Sequence, residues 1–171
     1  MRTLFEGSCA KEPDRPEANE DALAFSADRQ RLALSDGASE SYDSQLWAGL
    51  LARKFAQDPQ FSAKWLEAAI SAYQREHDFA AMTWSQQIAF ERGCFATLLT
   101  VEHDSQRRRL RLFGVGDSVA VLFVGCELVR AWPLDDAERF KERPTLLSTL
   151  REHNAFLQAP EFEALSHLEV D

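Results

Sequence analysis

Three short acidic segments carry the chemistry that this chain could perform. Asn19-Glu20-Asp21, Asp36-Gly37 and Gly116-Asp117-Ser118 each fall where an apolar stretch begins or ends, the position from which side chains commonly reach a site on a rigid scaffold. Hard divalent cations such as Mg²⁺ and Mn²⁺ take carboxylate, carbonyl and water oxygens, and glycine lets a backbone carbonyl approach closely. The residue types fit such a cation. Taken singly, each segment is also an ordinary turn: Asp-Gly is a common one, Asn-Glu-Asp a solvated loop, and Gly-Asp-Ser a tight connection. Their order, with Gly93-Cys94-Phe95-Ala96-Thr97-Leu98 between the second and third, is what favours a site.

The elements that must position these residues follow from hydrophobic period. Two short apolar runs, 22–27 and 32–35, flank the polar turn Asp28-Arg29-Gln30-Arg31, which predicts an antiparallel hairpin whose second strand opens at Asp36-Gly37. Leu46, Trp47, Leu50, Leu51 and Phe55 then recur at helical spacing with Ser44 as the expected N-cap, and Ser62 starts a second amphipathic run through Trp65, Leu66, Ala69, Ile70 and Tyr73. A short helix over 85–92 would end at Gly93. Strand chemistry returns at 94–101, 109–115, 120–124 and 127–132, read as a meander of antiparallel neighbours. Beyond Pro133, residues 135–140 are read as a helical turn or two, and 161–170 as helix or strand. Strands, then helices, then strands predict an α+β architecture in one domain covering residues 1–171.

Composition narrows the partners. The chain has 171 residues, 45% of them apolar, and a formal charge of -9, so it should fold and should not attract nucleic acid. Arg107-Arg108-Arg109 reads as a solvated hairpin tip in preference to an anion patch. Cys9, Cys94 and Cys126 are odd in number and widely separated, which argues against a disulfide framework or a zinc site. A charge at Glu6 interrupts any leader-like apolar stretch, and no window is long and apolar enough for a membrane span. The expectation is a reduced, cytoplasmic protein with no membrane partner.

The order of the motifs resembles the protein phosphatase 2C family, the metal-dependent serine/threonine protein phosphatases. The matching pieces are Asn19-Glu20-Asp21-Ala22, Leu34-Ser35-Asp36-Gly37-Ala38-Ser39, Gly93-Cys94-Phe95-Ala96-Thr97 and Gly114-Val115-Gly116-Asp117-Ser118-Val119-Ala120, within residues 3–132. The resemblance implies an antiparallel β-sandwich flanked by helices. It also implies a phosphoprotein substrate and a site in which Asp36 bridges two ions, Glu20 and the Gly37 carbonyl hold one, and Asp117 serves a third. A water between the two main ions would attack the phosphorus of phosphoserine or phosphothreonine, because paired cations lower its pKa and offset phosphoryl charge. Arg15, with Lys11 behind it, would hold the substrate phosphate, since a guanidinium fork matches phosphate oxygens; the other reading of Arg15 is a solvated loop residue.

The match departs from the family pattern at two places. Ala38-Ser39-Glu40-Ser41 stands where many members carry a histidine that protonates the leaving group; His77, His103, His153 and His167 all lie elsewhere and read as packing or surface residues. The two later metal-binding aspartates of the family have no counterpart, and Asp135 and Asp136 read as a solvated turn. Truncation at the C-terminus, a degenerate module that binds a phosphoprotein without turnover, or a second chain that completes the site would each account for this. Truncation is the favoured expectation, on the ground that the chain reaches Val170-Asp171 without a closing strand. The substrate and the oligomeric state are left open by the sequence.

Overall fold

Alternation in the first hairpin decides which side each strand shows to the core. The computed structural model describes residues 5–9, 14 and 18–170. β1 (Asp21–Phe25) and β2 (Arg31–Asp36) pair antiparallel with Leu23 opposite Leu34 and Asp21 opposite Asp36. Ala22, Ala24 and Ala33 point one way and pack under a helix, while Leu23 and Leu34 point the other.

Helix α1 (Ser44–Gln57) lies on the alanine side, where the small residues let it approach the sheet. Its cap corrects the sequence reading. The carboxylate of Asp43 accepts from the backbone N–H of Leu46, and Ser44 is the first helical residue, which frees the Ser44 hydroxyl for Glu20. Trp47 and Leu51 are wholly buried, and the Trp47 indole N–H donates to the Leu147 carbonyl at 3.0 Å. Helix α2 (Ala63–Arg75) is capped by Ser62 as the spacing predicts, and it stacks Tyr73 edge-on against Trp47. Helix α3 (Trp84–Glu91) starts with a reciprocal Thr83–Gln86 capping box and stops at Gly93, whose φ of 81° suits a glycine after a helix end.

The apolar run 94–101 is not one strand. β3 (Phe95–Ala96) pairs with the short β8 (Leu147–Ser148), and β4 (Leu98–Asp104) pairs with β2 and β5 (Arg109–Val115). The break is Thr97, whose backbone N–H donates to the Asp36 carbonyl instead of continuing a ladder. The meander is also interrupted. β6 (Ala120–Val124) and β7 (Glu127–Trp132) form their own ribbon, and β5 takes β9 (His167–Val170) as its second neighbour. Residues 161–170 hold both structures that the sequence left open, the end of α4 (Pro160–Leu165) and then β9. β9 corrects the expectation that the chain ends without a closing strand. Residues 137–141 form a short 3₁₀ segment.

The result is an α+β arrangement: one five-stranded antiparallel sheet, ordered β1-β2-β4-β5-β9, two two-stranded ribbons, and helices on one face. The expected sandwich is not formed among the described residues, because β6 and β7 pair only with each other and supply no second layer. No helix among the described residues is long and apolar enough to cross a membrane. Cys94 is buried and Cys9 and Cys126 are exposed, none in a disulfide.

Candidate metal site

Asp36 ends β2 at the rim of the sheet, and antiparallel register sets Asp21 directly opposite it. Its backbone is clamped from the other side. The Asp36 N–H donates to Thr97 Oγ1 at 2.9 Å, and the Thr97 N–H returns a bond to the Asp36 carbonyl at 2.9 Å. Thr97 Oγ1 also shares a 2.9 Å hydrogen bond with Ser118 Oγ, so one threonine ties the end of β2 to the β5–β6 connection that carries Asp117. Gly116 makes that turn with φ 100°, and a Cβ there would fall 2.7 Å from Thr97 Cγ2. Gly37 is needed for a different reason: a Cβ would lie 2.7 Å from the Ser44 carbonyl oxygen, where α1 begins.

Glu20 is held by hydroxyls on two elements. Ser39 Oγ donates to its Oε2 at 2.5 Å and Ser44 Oγ to its Oε1 at 2.9 Å, while its backbone carbonyl accepts from the Gly37 N–H. The loop after β2 and the first residue of α1 thus orient Glu20 toward the Asp36-Gly37 turn.

These placements give the Asp36 carboxyl an unusual titration. It is pushed up to about 6, first by its partial shielding from water, then by the charge of Asp21 and a hydrogen bond with it, and then by the charges of Asp117 and Glu20. The residue as a whole still opens to solvent; the shielding falls on the carboxyl. Like charges gathered at one place disfavour ionisation, and a cation would relieve them. Among the described residues, however, no three His, Cys, Asp or Glu side chains converge as a metal-ligand set.

The other sequence-predicted residues fall as follows. Arg15 and its alternative Lys11 lie outside the described residues. Glu40 is exposed. The histidines have packing or hydrogen-bonding partners: His77 contacts the Tyr73 carbonyl and Asp43, His103 contacts Gln30, His153 stacks on Phe95, and His167 lies against Phe113. Two features escaped the sequence reading. Asp21 was visible as part of a motif, and its facing of Asp36 follows once the hairpin register is fixed. Arg139 and Arg143 line a cavity of about 210 Å³ together with Asp117; no local pattern connects residues that far apart.

No protein-family model matches the chain, and no curated protein sequence is similar to it. Among solved structures it is similar to the crystal structure of serine/threonine phosphatase Stp1 from Staphylococcus aureus. The TM-score is 0.43 and the identity 17%, over 75% of this chain and 55% of that one. The chain therefore spans little more than half the length of that phosphatase.

Proposed function

We propose that the chain carries a divalent-cation site for metal-dependent hydrolysis of phosphoserine or phosphothreonine in proteins. The observation that supports this reading most is geometric: Asp21 faces Asp36 across the strand ends, Ser39 and Ser44 hold Glu20 beside the Asp36-Gly37 turn, and Thr97 with Ser118 ties the Asp117 connection to Asp36, which is consistent with the raised Asp36 carboxyl. Residues from three separated segments act on one point, and all their donors are the hard oxygens that Mg²⁺ or Mn²⁺ prefers.

In this reading Asp36, Glu20, the Gly37 carbonyl and Asp117 would hold the metal, which when bound would supply a water of lowered pKa and offset phosphoryl charge. The remaining tasks belong to the chain. The Asp36 carboxyl, raised by its neighbours, would be held in its ionised form by a cation beside it. Ser39 and Ser44 hold the Glu20 carboxylate in orientation, and Thr97 with Ser118 keeps the Asp117 turn against the Asp36 strand end. Arg15 is assigned the substrate phosphate. Manganese-dependent release of phosphate from a phosphothreonine peptide, abolished by Asp36→Asn with the fold intact, is the expected result; no Mn²⁺ binding by calorimetry would sink the reading.

A second reading is favoured by two observations: the described residues form no three-ligand set, and both Glu20 oxygens already accept hydroxyl hydrogens. It makes the chain a phosphatase-like module that binds a phosphoprotein without turnover. Phosphopeptide binding with no hydrolysis at saturating Mn²⁺ would select it.

A further inference from the structure

His77 is held in a way that packing alone does not require. Its side chain, just past the end of α2, is only 7% exposed. The rings of Tyr42, Tyr73 and Phe90 box it in, at centroid distances of 5.4, 4.6 and 5.4 Å. Both of its nitrogens are engaged, Nδ1 with the Tyr73 carbonyl at 2.8 Å and Nε2 with Asp43 Oδ2 at 3.0 Å. A carbonyl and a carboxylate only accept, so each nitrogen must donate, and the two bonds coexist only on the doubly protonated imidazole. A neutral ring can donate one of them.

The residue that His77 grips stands at a strained point of the backbone. Asp43 has φ 52° and ψ 48°, the left-handed region, which a residue other than glycine keeps only where its surroundings hold it there. Its cap bond to the Leu46 N–H is long, 3.4 Å, and His77 is the one side chain, among the described residues, that bonds its carboxylate. The next residue is Ser44. Its hydroxyl donates to Glu20 Oε1 at 2.9 Å, and its carbonyl lies against Gly37. A short path therefore joins the aromatic box to the acidic rim of Glu20, Asp21, Asp36 and Asp117: His77 fixes Asp43, Asp43 starts α1, and the first residue of α1 orients Glu20.

We propose that His77 is a positioning residue for Glu20, acting through Asp43 and Ser44, and that its proton sets how firmly the start of α1 is held. The consequence for a cation rests on the metal reading above; the clamp itself does not. It is complete while the imidazole carries both protons, and it gives up one bond as pH rises through the range in which histidines change charge, about pH 5 to 8. The groups around it leave that proton as the variable. Asp43 is its ion-pair partner, and Tyr42 presents its ring from the segment before α1. Tyr73 on α2, and Cys94 next to Tyr73, are pushed up by burial and stay neutral over that range. α3 presents the Phe90 ring, and Glu76 and Asp78, which flank His77 in the chain, are exposed.

Mn²⁺ calorimetry and amide exchange on the full chain, at about pH 6 and about pH 8, test this. His77→Phe fills the box without either bond; at the lower pH it should raise the Mn²⁺ dissociation constant several-fold and speed exchange of the Leu46 amide relative to its intrinsic rate. His77→Gln, whose amide can reach Asp43 without a titrating proton, should restore most of both. Asp36 is common to all three proteins, so their ratios isolate His77, and the parent should lose ground to His77→Gln at the higher pH. A His77→Gln variant as impaired as His77→Phe, or a His77→Phe variant equal to the parent, reduces the residue to packing and overturns the proposal. ¹⁵N spectra of the parent need no variant: a His77 ring with one unprotonated nitrogen at the lower pH overturns it too. A parent that binds no Mn²⁺ sinks the metal reading, and Leu46 exchange then decides. Opening at the higher pH that His77→Gln removes upholds the clamp; exchange indifferent to pH and to both substitutions overturns it.

Discussion

The aromatic layer beneath α1 and α2 and the acidic rim of the same sheet are built on opposite rules. In the first, Trp47, Tyr73, Leu51 and Ile70 are buried and their polar atoms are satisfied within the protein: the Trp47 indole by Leu147 and the Tyr73 hydroxyl by the Tyr42 carbonyl. In the second, shielding and the charges of Asp21, Asp117 and Glu20 raise the cost of ionising Asp36. One region has resolved its interactions within the fold; in the other, like charges raise Asp36 without an opposing one. The difference separates residues that serve stability from the residues to which we assign a ligand.

Truncating the first region should give the largest effect. Trp47→Ala removes a wholly buried indole and strands the Leu147 carbonyl, and urea titration should show a loss of about 3–5 kcal/mol. Gly37→Ala tests the seam between the regions. Its Cβ meets backbone, which has little freedom to yield, so a loss of about 1–3 kcal/mol in the same titration is expected, together with a displaced Glu20.

Asp36→Asn should move stability the other way. Because the folded carboxyl titrates at about 6 instead of at the ordinary 3.8, between those values the folded state holds a proton that the unfolded chain has released. Stability from this group is therefore present below the unfolded value and declines as pH rises through the window from 3.8 to about 6. Asn cannot ionise, so the variant should melt higher than the parent at pH 7, by less than ~1 kcal/mol after solvent screening, and the two should converge near pH 4. A variant that melts lower at pH 7 would break the contrast. The smallest change should come from the edge strand: Leu23→Ser, at a position 39% exposed, should lower stability in the urea titration by no more than about 0.5 kcal/mol.

Much of this arrangement was legible in local sequence. The first hairpin was readable because two apolar runs bracket a polar turn, and α2 because Ser62 precedes a clean helical stripe. The strand-end positions of Glu20, Asp36 and Asp117 followed from the same punctuation. What was not legible depended on partners distant in the chain. Asp43 displaced Ser44 as the α1 cap because Glu20, more than twenty residues earlier, takes the Ser44 hydroxyl. The run through Thr97 split because Asp36 binds its backbone and hydroxyl. β5 passed over the adjacent β6 for β9, and no periodicity within either segment encodes that choice.

Cys94 provides a built-in clock for opening of the molecule. Burial pushes its thiol up to about 12, so almost no reactive thiolate exists while the chain is folded. Cys9 and Cys126 lie at the surface and should consume a thiol reagent first. A slow third equivalent would then time the unlocking of the contact between Tyr73 and the start of β3, without any added label.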